Sequence, residues 1–123
     1  MKSIERPQGF EKETRDCTIR ALSLVANLPY MRVHSAFKEM GRKDGHGIIV
    51  NKVLQRVFKM LKLEAKQIKR SGSVNKLIRD NPKGNIFCLK RAHAFALIDG
   101  VTHDLDEPNS HIKGAWIITK MIK

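Results

Sequence analysis

Several things are scarce in this chain, and each scarcity removes a class of protein. Only two cysteines, Cys17 and Cys88, occur in 123 residues, too few for a disulfide-stapled scaffold. No apolar run approaches the roughly 18 residues that a membrane span needs, so no membrane role is expected. The opening Met1-Lys2-Ser3-Ile4-Glu5-Arg6-Pro7 has no apolar stretch of the kind a secretory signal carries. The expected location is therefore the cytoplasm, where both thiols stay reduced. One tryptophan and one tyrosine do not make a stacking platform for single-stranded nucleic acid. Cys17, Cys88, His93 and His103 show no C-x-x-C or H-x-x-x-H spacing, so no metal is expected. Gly45-His46-Gly47 lacks the Lys-Ser/Thr ending of a phosphate loop, and no cofactor is expected either.

Acidic charge is scarce too. Twelve acids stand against 24 Lys and Arg residues, a net charge of +12. Such a field attracts nucleic acid, anionic surfaces or acidic proteins. It is unevenly spread: Lys52 to Arg70 holds seven basic residues and one acid, Glu64. A solvated face that maintains solubility and a binding patch both fit that run.

What remains is ordinary for one globular α+β domain over residues 1–123. Asp16, with Thr14 as a second candidate, is suited to cap a helix carrying Ile19, Leu22, Val25 and Ala26. That helix should end near Asn27, before Pro29. A second is predicted from about Tyr30 to Met40, with Val33, Phe37 and Met40 inward and Gly41 as its stop. The third, about Ile49 to Leu61, has an apolar stripe of Val50, Val53, Leu54, Val57, Phe58 and Leu61. Lys52, Arg56 and Lys59 share its opposite face, and Lys62 follows. These four cations are the candidate contacts for nucleic acid or an acidic partner. A short strand is predicted over Leu63–Ile68, and Ser73 should cap a short helix bearing Val74, Leu77 and Ile78. Strands are then expected at Asn85–Lys90, His93–Ile98, Val101–Asp106 and about Ala115 to Met121. Asp99-Gly100 is a two-residue hairpin signal between the second and third of these. Helices come first and antiparallel strands last, an α+β arrangement.

Two residues carry candidate chemistry. Cys17 falls in the first turn of its helix, where backbone amides and the positive dipole end favour a thiolate. Arg15 and Arg20 act in the same direction and Asp16 against them. As a bland alternative, a helical cysteine is a small buried hydrophobe, the reading also given to Cys88 in mid-strand. His93 opens a strand that alternates, with Phe95 and Leu97 on its side and Ala94, Ala96 and Ile98 on the other. Small residues on one face and large ones on the other predict a sheet covered on both sides. With Asp99-Gly100 as the loop, Ile98 pairs with Val101 and Asp106 falls opposite His93, with Asp104 one diagonal step away. Either carboxylate can hold an imidazole in its working tautomer; both stay open.

Asp16-Cys17-Thr18-Ile19-Arg20-Ala21-Leu22 and the downstream His93-Ala94-Phe95-Ala96-Leu97-Ile98-Asp99-Gly100-Val101-Thr102-His103-Asp104 resemble small papain-like proteins common in bacteriophages. Those carry a cysteine before a helix reading roughly D-C-x-x-R-A, then a histidine strand, a D-G turn and an H-D pair. The resemblance implies a papain-like fold, with N-terminal helices packed on a C-terminal antiparallel sheet. It also implies a cysteine hydrolase in which Cys17 is nucleophile, His93 is general base and Asp104 or Asp106 is the third member. Gln8, the only glutamine before Cys17, takes the place of the oxyanion-stabilising side chain. The implied substrate is a protein or peptide, cleaved by a peptidase, isopeptidase or amidase, in host cytoplasm if the protein is phage-encoded. The alternative is a non-catalytic papain-like module that holds a host protein or nucleic acid through its basic surface.

Overall fold

The computed structural model describes residues 16–40, 51–69, 72–90, 93–103 and 111–120. The predicted helical periods become α1 (Cys17–Ala26), α2 (Tyr30–Glu39), α3 (Asn51–Met60) and α4 (Val74–Asp80). The strands are β1 (Leu63–Gln67), β2 (Asn85–Lys90), β3 (His93–Ile98), β4 (Val101–His103) and β5 (Gly114–Lys120). The order is α+β, but not with helices strictly first: β1 precedes α4, and α4 precedes the remaining strands. Thr14, Gly41 and the glycine-rich stretch around His46 lie outside the described residues, as does the 104–106 end expected for β4.

The strands form one antiparallel sheet in the order β1-β5-β2-β3-β4. Its best-specified corner is the β3–β4 hairpin. Asp99 and Gly100 both adopt positive φ, 47° and 81°, the twist a two-residue type I′ turn requires. Asp99 also fastens the start of β2, accepting from the Gly84 amide through Oδ1 at 2.8 Å and donating its own amide to the Gly84 carbonyl at 2.9 Å. The predicted register follows, with Ile98 opposite Val101, Leu97 opposite Thr102 and Ala96 opposite His103.

Both faces of the sheet are covered, as the alternation along β3 predicts. On one side Phe87, Leu89, Ala94, Ala96, Trp116 and Ile118 meet the apolar stripes of α1, α2 and α3. On the other, Ile86, Cys88, Phe95, Leu97 and Ala115 meet Val74 and Leu77 of α4 together with Ile112. Ser73 caps α4 as expected, its hydroxyl accepting from the Lys76 amide at 3.2 Å. Among the described residues, no helix is long and apolar enough to cross a membrane.

Helix α1 is fixed over β3 by packing before capping. Ile19, Leu22 and Val25 are each no more than 1% exposed. At about 1.5–3 kcal/mol per buried side chain they outweigh any single cap, worth about 1 kcal/mol. Opposite them, Ala94 and Ala96 have side chains small enough to let the helix approach the strand closely. The C-terminal end is tied down as well. Asn27 takes the left-handed conformation that ends the helix. The Asn85 side-chain amide donates to the Val25 carbonyl at 2.9 Å, and Lys120 Nζ donates to the Asn27 carbonyl at 3.0 Å. Carbonyls that a helix end leaves unpaired are thereby satisfied.

Gly114 shows how tightly the sheet centre is filled. A methyl group there would stand 2.7 Å from Cη2 of Trp116. That ring cannot yield freely, because Phe58 and Phe87 each pack 6.1 Å from it. Gly114→Ala should therefore destabilise the fold by about 1–3 kcal/mol, seen as a lower denaturant midpoint with an unchanged slope. An unchanged midpoint would contradict this packing.

Candidate active site

Cys17 is the first residue of α1, and packing of that helix on β3 carries its sulfur to the start of the strand. The Ala94 backbone amide donates to Sγ at 3.4 Å, and the neighbouring His93 imidazole lies near enough to the thiol to lower its pKa. Strand alternation assigns His93 to the Phe95 side, away from α1. The contact is possible because His93 is the terminal residue of β3, paired with Lys90 at the β2–β3 corner.

Opposing forces act on the thiol. Burial, the largest, pushes its pKa up, because a thiolate loses hydration there. The His93 hydrogen bond, the Ala94 amide and the positive charges of His93 and Arg20 pull it down. The downward influences prevail, and Cys17 lies below the ordinary cysteine value. Cys88 is the internal contrast. It is fully buried on the α4 side of the sheet, and burial alone pushes its thiol far up.

Asp16 corrects a sequence expectation. It occupies the N-cap position of α1, but its side chain makes no capping bond. Instead the carboxylate is fully buried, accepting from Tyr30 Oη at 2.6 Å and from Arg20 Nε at 3.0 Å. This cluster and the Ala94 amide were not singled out from the sequence as site components. The Asp16–Arg20 spacing of four was the available signal, since it puts both side chains on one helix face. An amide donated by an alanine leaves no trace in residue type.

Gln8, Asp104 and Asp106 lie outside the described residues. Lys52, Arg56, Lys59 and Lys62 are exposed on α3 and the turn after it. Those elements pack against α2 and β1, and the four cations do not join Cys17 and His93. Trp116 is core, 3% exposed. A recess of about 350 Å³ is lined by Val25, Asn27, Asn85 and Lys120 among others. It lies at the far end of α1, on the order of 14 Å from Cys17 at about 1.5 Å per helical residue, too far to serve the thiol. Among the described residues no three His, Cys, Asp or Glu side chains gather to hold a metal ion.

Chemically, a thiol beside an imidazole can pass its proton across and become a nucleophile. Comparison with models of protein families, with curated proteins and with solved structures yields no match.

At neutral pH a limiting dose of iodoacetamide should alkylate Cys17 and spare Cys88, read by peptide mass mapping. Labelling of Cys17 should fall as pH drops through its depressed pKa, because the reactive thiolate is then protonated. Equal labelling of both cysteines, or of neither below the ordinary thiol range, contradicts this assignment.

Proposed function

We propose that the protein is a cysteine-dependent hydrolase in which Cys17 is the nucleophile and His93 the general base. One observation carries the reading: the backbone amide of Ala94 donates to the thiol at the start of α1 at 3.4 Å, which sets the sulfur beside the imidazole of the preceding residue, His93, 76 positions later in the chain. The papain-like resemblance supports it, since the chain order there is cysteine at a helix start, then a histidine strand, then a carboxylate after the turn. Asp104 or Asp106 is the proposed third member and Gln8 the proposed oxyanion side chain. The phage-type motifs make a bacteriophage protein acting on host factors the proposed setting.

The chemistry needs no cofactor. His93 takes the Cys17 proton, and the thiolate attacks a carbonyl carbon to form a tetrahedral oxyanion. The backbone amides of the first turn of α1 are the proposed donors to that oxygen. The imidazolium then protonates the leaving amine as the carbon–nitrogen bond breaks, leaving a thioester on Cys17. A water molecule gives a proton to His93 and attacks the thioester, releasing the acid and restoring the thiol. Peptide, isopeptide and glutamine amide bonds all fit this sequence. The identity of the leaving amine alone separates peptidase, isopeptidase and amidase.

The test is p-nitrophenyl acetate followed by intact-mass analysis. The wild-type protein should acetylate on Cys17 and turn over. Cys17→Ala should not acetylate, and His93→Ala should slow turnover by about 10²–10⁴-fold. A Cys17→Ala variant as active as the wild type would end the reading.

A second reading is favoured by a different observation. Lys52, Arg56 and Lys59 lie exposed on α3, a helix with no acidic residue, whereas on α4 Lys76 and Arg79 both pair with Asp80. We propose this stripe as the contact for the non-catalytic alternative, in which the protein holds a polyanion. Retention of duplex DNA should then fall with salt, and charge reversal at all three positions should flatten the log–log slope by about 0.9 per lost phosphate contact. An unchanged slope would remove this face from consideration.

A further inference from the structure

The buried carboxylate beside Cys17 is electrostatically out of place. Asp16 is 0% exposed and immediately precedes the proposed nucleophile, so its negative charge opposes a thiolate. Yet it cannot be dismissed as a helix cap, because its side chain makes no capping bond. What it does make is a latch. Tyr30 is the first residue of α2, and its hydroxyl donates to Oδ2 at 2.6 Å, joining the start of α2 to the start of α1. The Tyr30 ring is itself held against His34, with centroids 5.8 Å apart. Arg20 closes the arrangement from one helical turn further on, donating Nε to Oδ1 at 3.0 Å with its side chain 19% exposed. Residues four apart share a helix face, so the guanidinium lies over the turn that contains Cys17.

We infer that Arg20 is a positioning residue that neutralises Asp16, so that the Asp16–Tyr30 latch can fasten the first turn of α1 while the Cys17 thiolate is shielded from the carboxylate charge. This rests on the thiol hydrolase reading and adds the means by which its nucleophile tolerates a neighbouring acid. Several groups among the described residues stand at or near the thiol. They are Arg20 from α1 and His93 with the Ala94 amide from β3; Asp16 adjoins the thiol in the chain, Tyr30 and His34 of α2 stand on the far side of its carboxylate, and Lys90 of β2 pairs with His93. His103 of β4 lies opposite Ala96, on the side that α1 covers. Arg20 contacts the carboxylate as a fixed cation, since a guanidinium does not titrate in proteins. The influence of Arg20 on the thiol runs in the same favourable direction as that of His93.

The experiment is the pH dependence of Cys17 alkylation by iodoacetamide in the full chain, with thermal unfolding as the folding control. Arg20→Gln should move the half-reactive pH up by about one unit, about a tenfold loss of rate below the midpoint. Arg20→Lys should move it less, because the charge is kept. Adding Asp16→Asn to Arg20→Gln should bring the midpoint back toward the wild-type position, because the unshielded charge is gone. Should Arg20→Gln not fold, Asp16→Asn alone should lower the midpoint. Tyr30→Phe should lower the melting temperature and leave the midpoint in place, separating the latch from the shield. A depressed wild-type midpoint that Arg20→Gln or Asp16→Asn fails to move overturns this inference and leaves the hydrolase reading standing. A shift in Arg20→Gln that Asp16→Asn does not reverse overturns it in the same way. An ordinary wild-type midpoint overturns both.

Discussion

The meeting of the first turn of α1 with the first residues of β3 is the contact on which the proposed chemistry depends. It brings a sulfur, an imidazole and a backbone amide together from positions 17, 93 and 94. The Ala94 amide ties directly to the sulfur, and the rest of the support comes from further along the helix. The contact is reinforced by packing along the rest of α1 and by ties at both of its ends. Asn85 and Lys120 hold the C-terminal end, and Asp16 with Tyr30 holds the N-terminal end. A reactive group supported in this way need not contribute to its own placement. Its energy can be spent on ionisation instead.

That division of labour explains why burial and activation coexist at Cys17. Removing a thiol from water disfavours the thiolate, as Cys88 demonstrates on the opposite face of the same sheet. Cys17 escapes that outcome because hydrogen bonds and cations converge on it. The same logic applies more sharply to Asp16. A fully buried carboxylate that loses its ionic partner costs about 3–5 kcal/mol, comparable to the burial of one or two core side chains. Arg20 and Tyr30 therefore bear on the integrity of this corner as well as on its electrostatics. The excess of positive charge in the chain suits the thiolate of the proposed site, although Lys52, Arg56 and Lys59 sit on a different element.

Much of this was legible in the sequence wherever local rules decide. The α1 and α3 stripes, the Ser73 cap, the Asp99-Gly100 turn and the span of β2 and β3 depend on residues within a turn or two of each other. The register through Ile98 and Val101 followed from turn length alone. Less legible was whatever tertiary partners decide. Asp16 has the residue type of a cap, but Tyr30, 14 positions away, and Arg20 take its carboxylate instead. The pairing of β1 with β5 joins residues such as Leu63 and Lys120, and no local pattern announces it. His93 reaches α1 against its strand parity only because the strand begins there. That is a matter of where pairing stops.

The direct measurement is a pH titration of the Cys17 thiolate by its ultraviolet absorbance, in a Cys88→Ala background, with and without His93→Ala. The account predicts that Cys17 ionises below the ordinary cysteine range and that removing the imidazole raises its midpoint. A midpoint at the ordinary value, indifferent to His93, would contradict it.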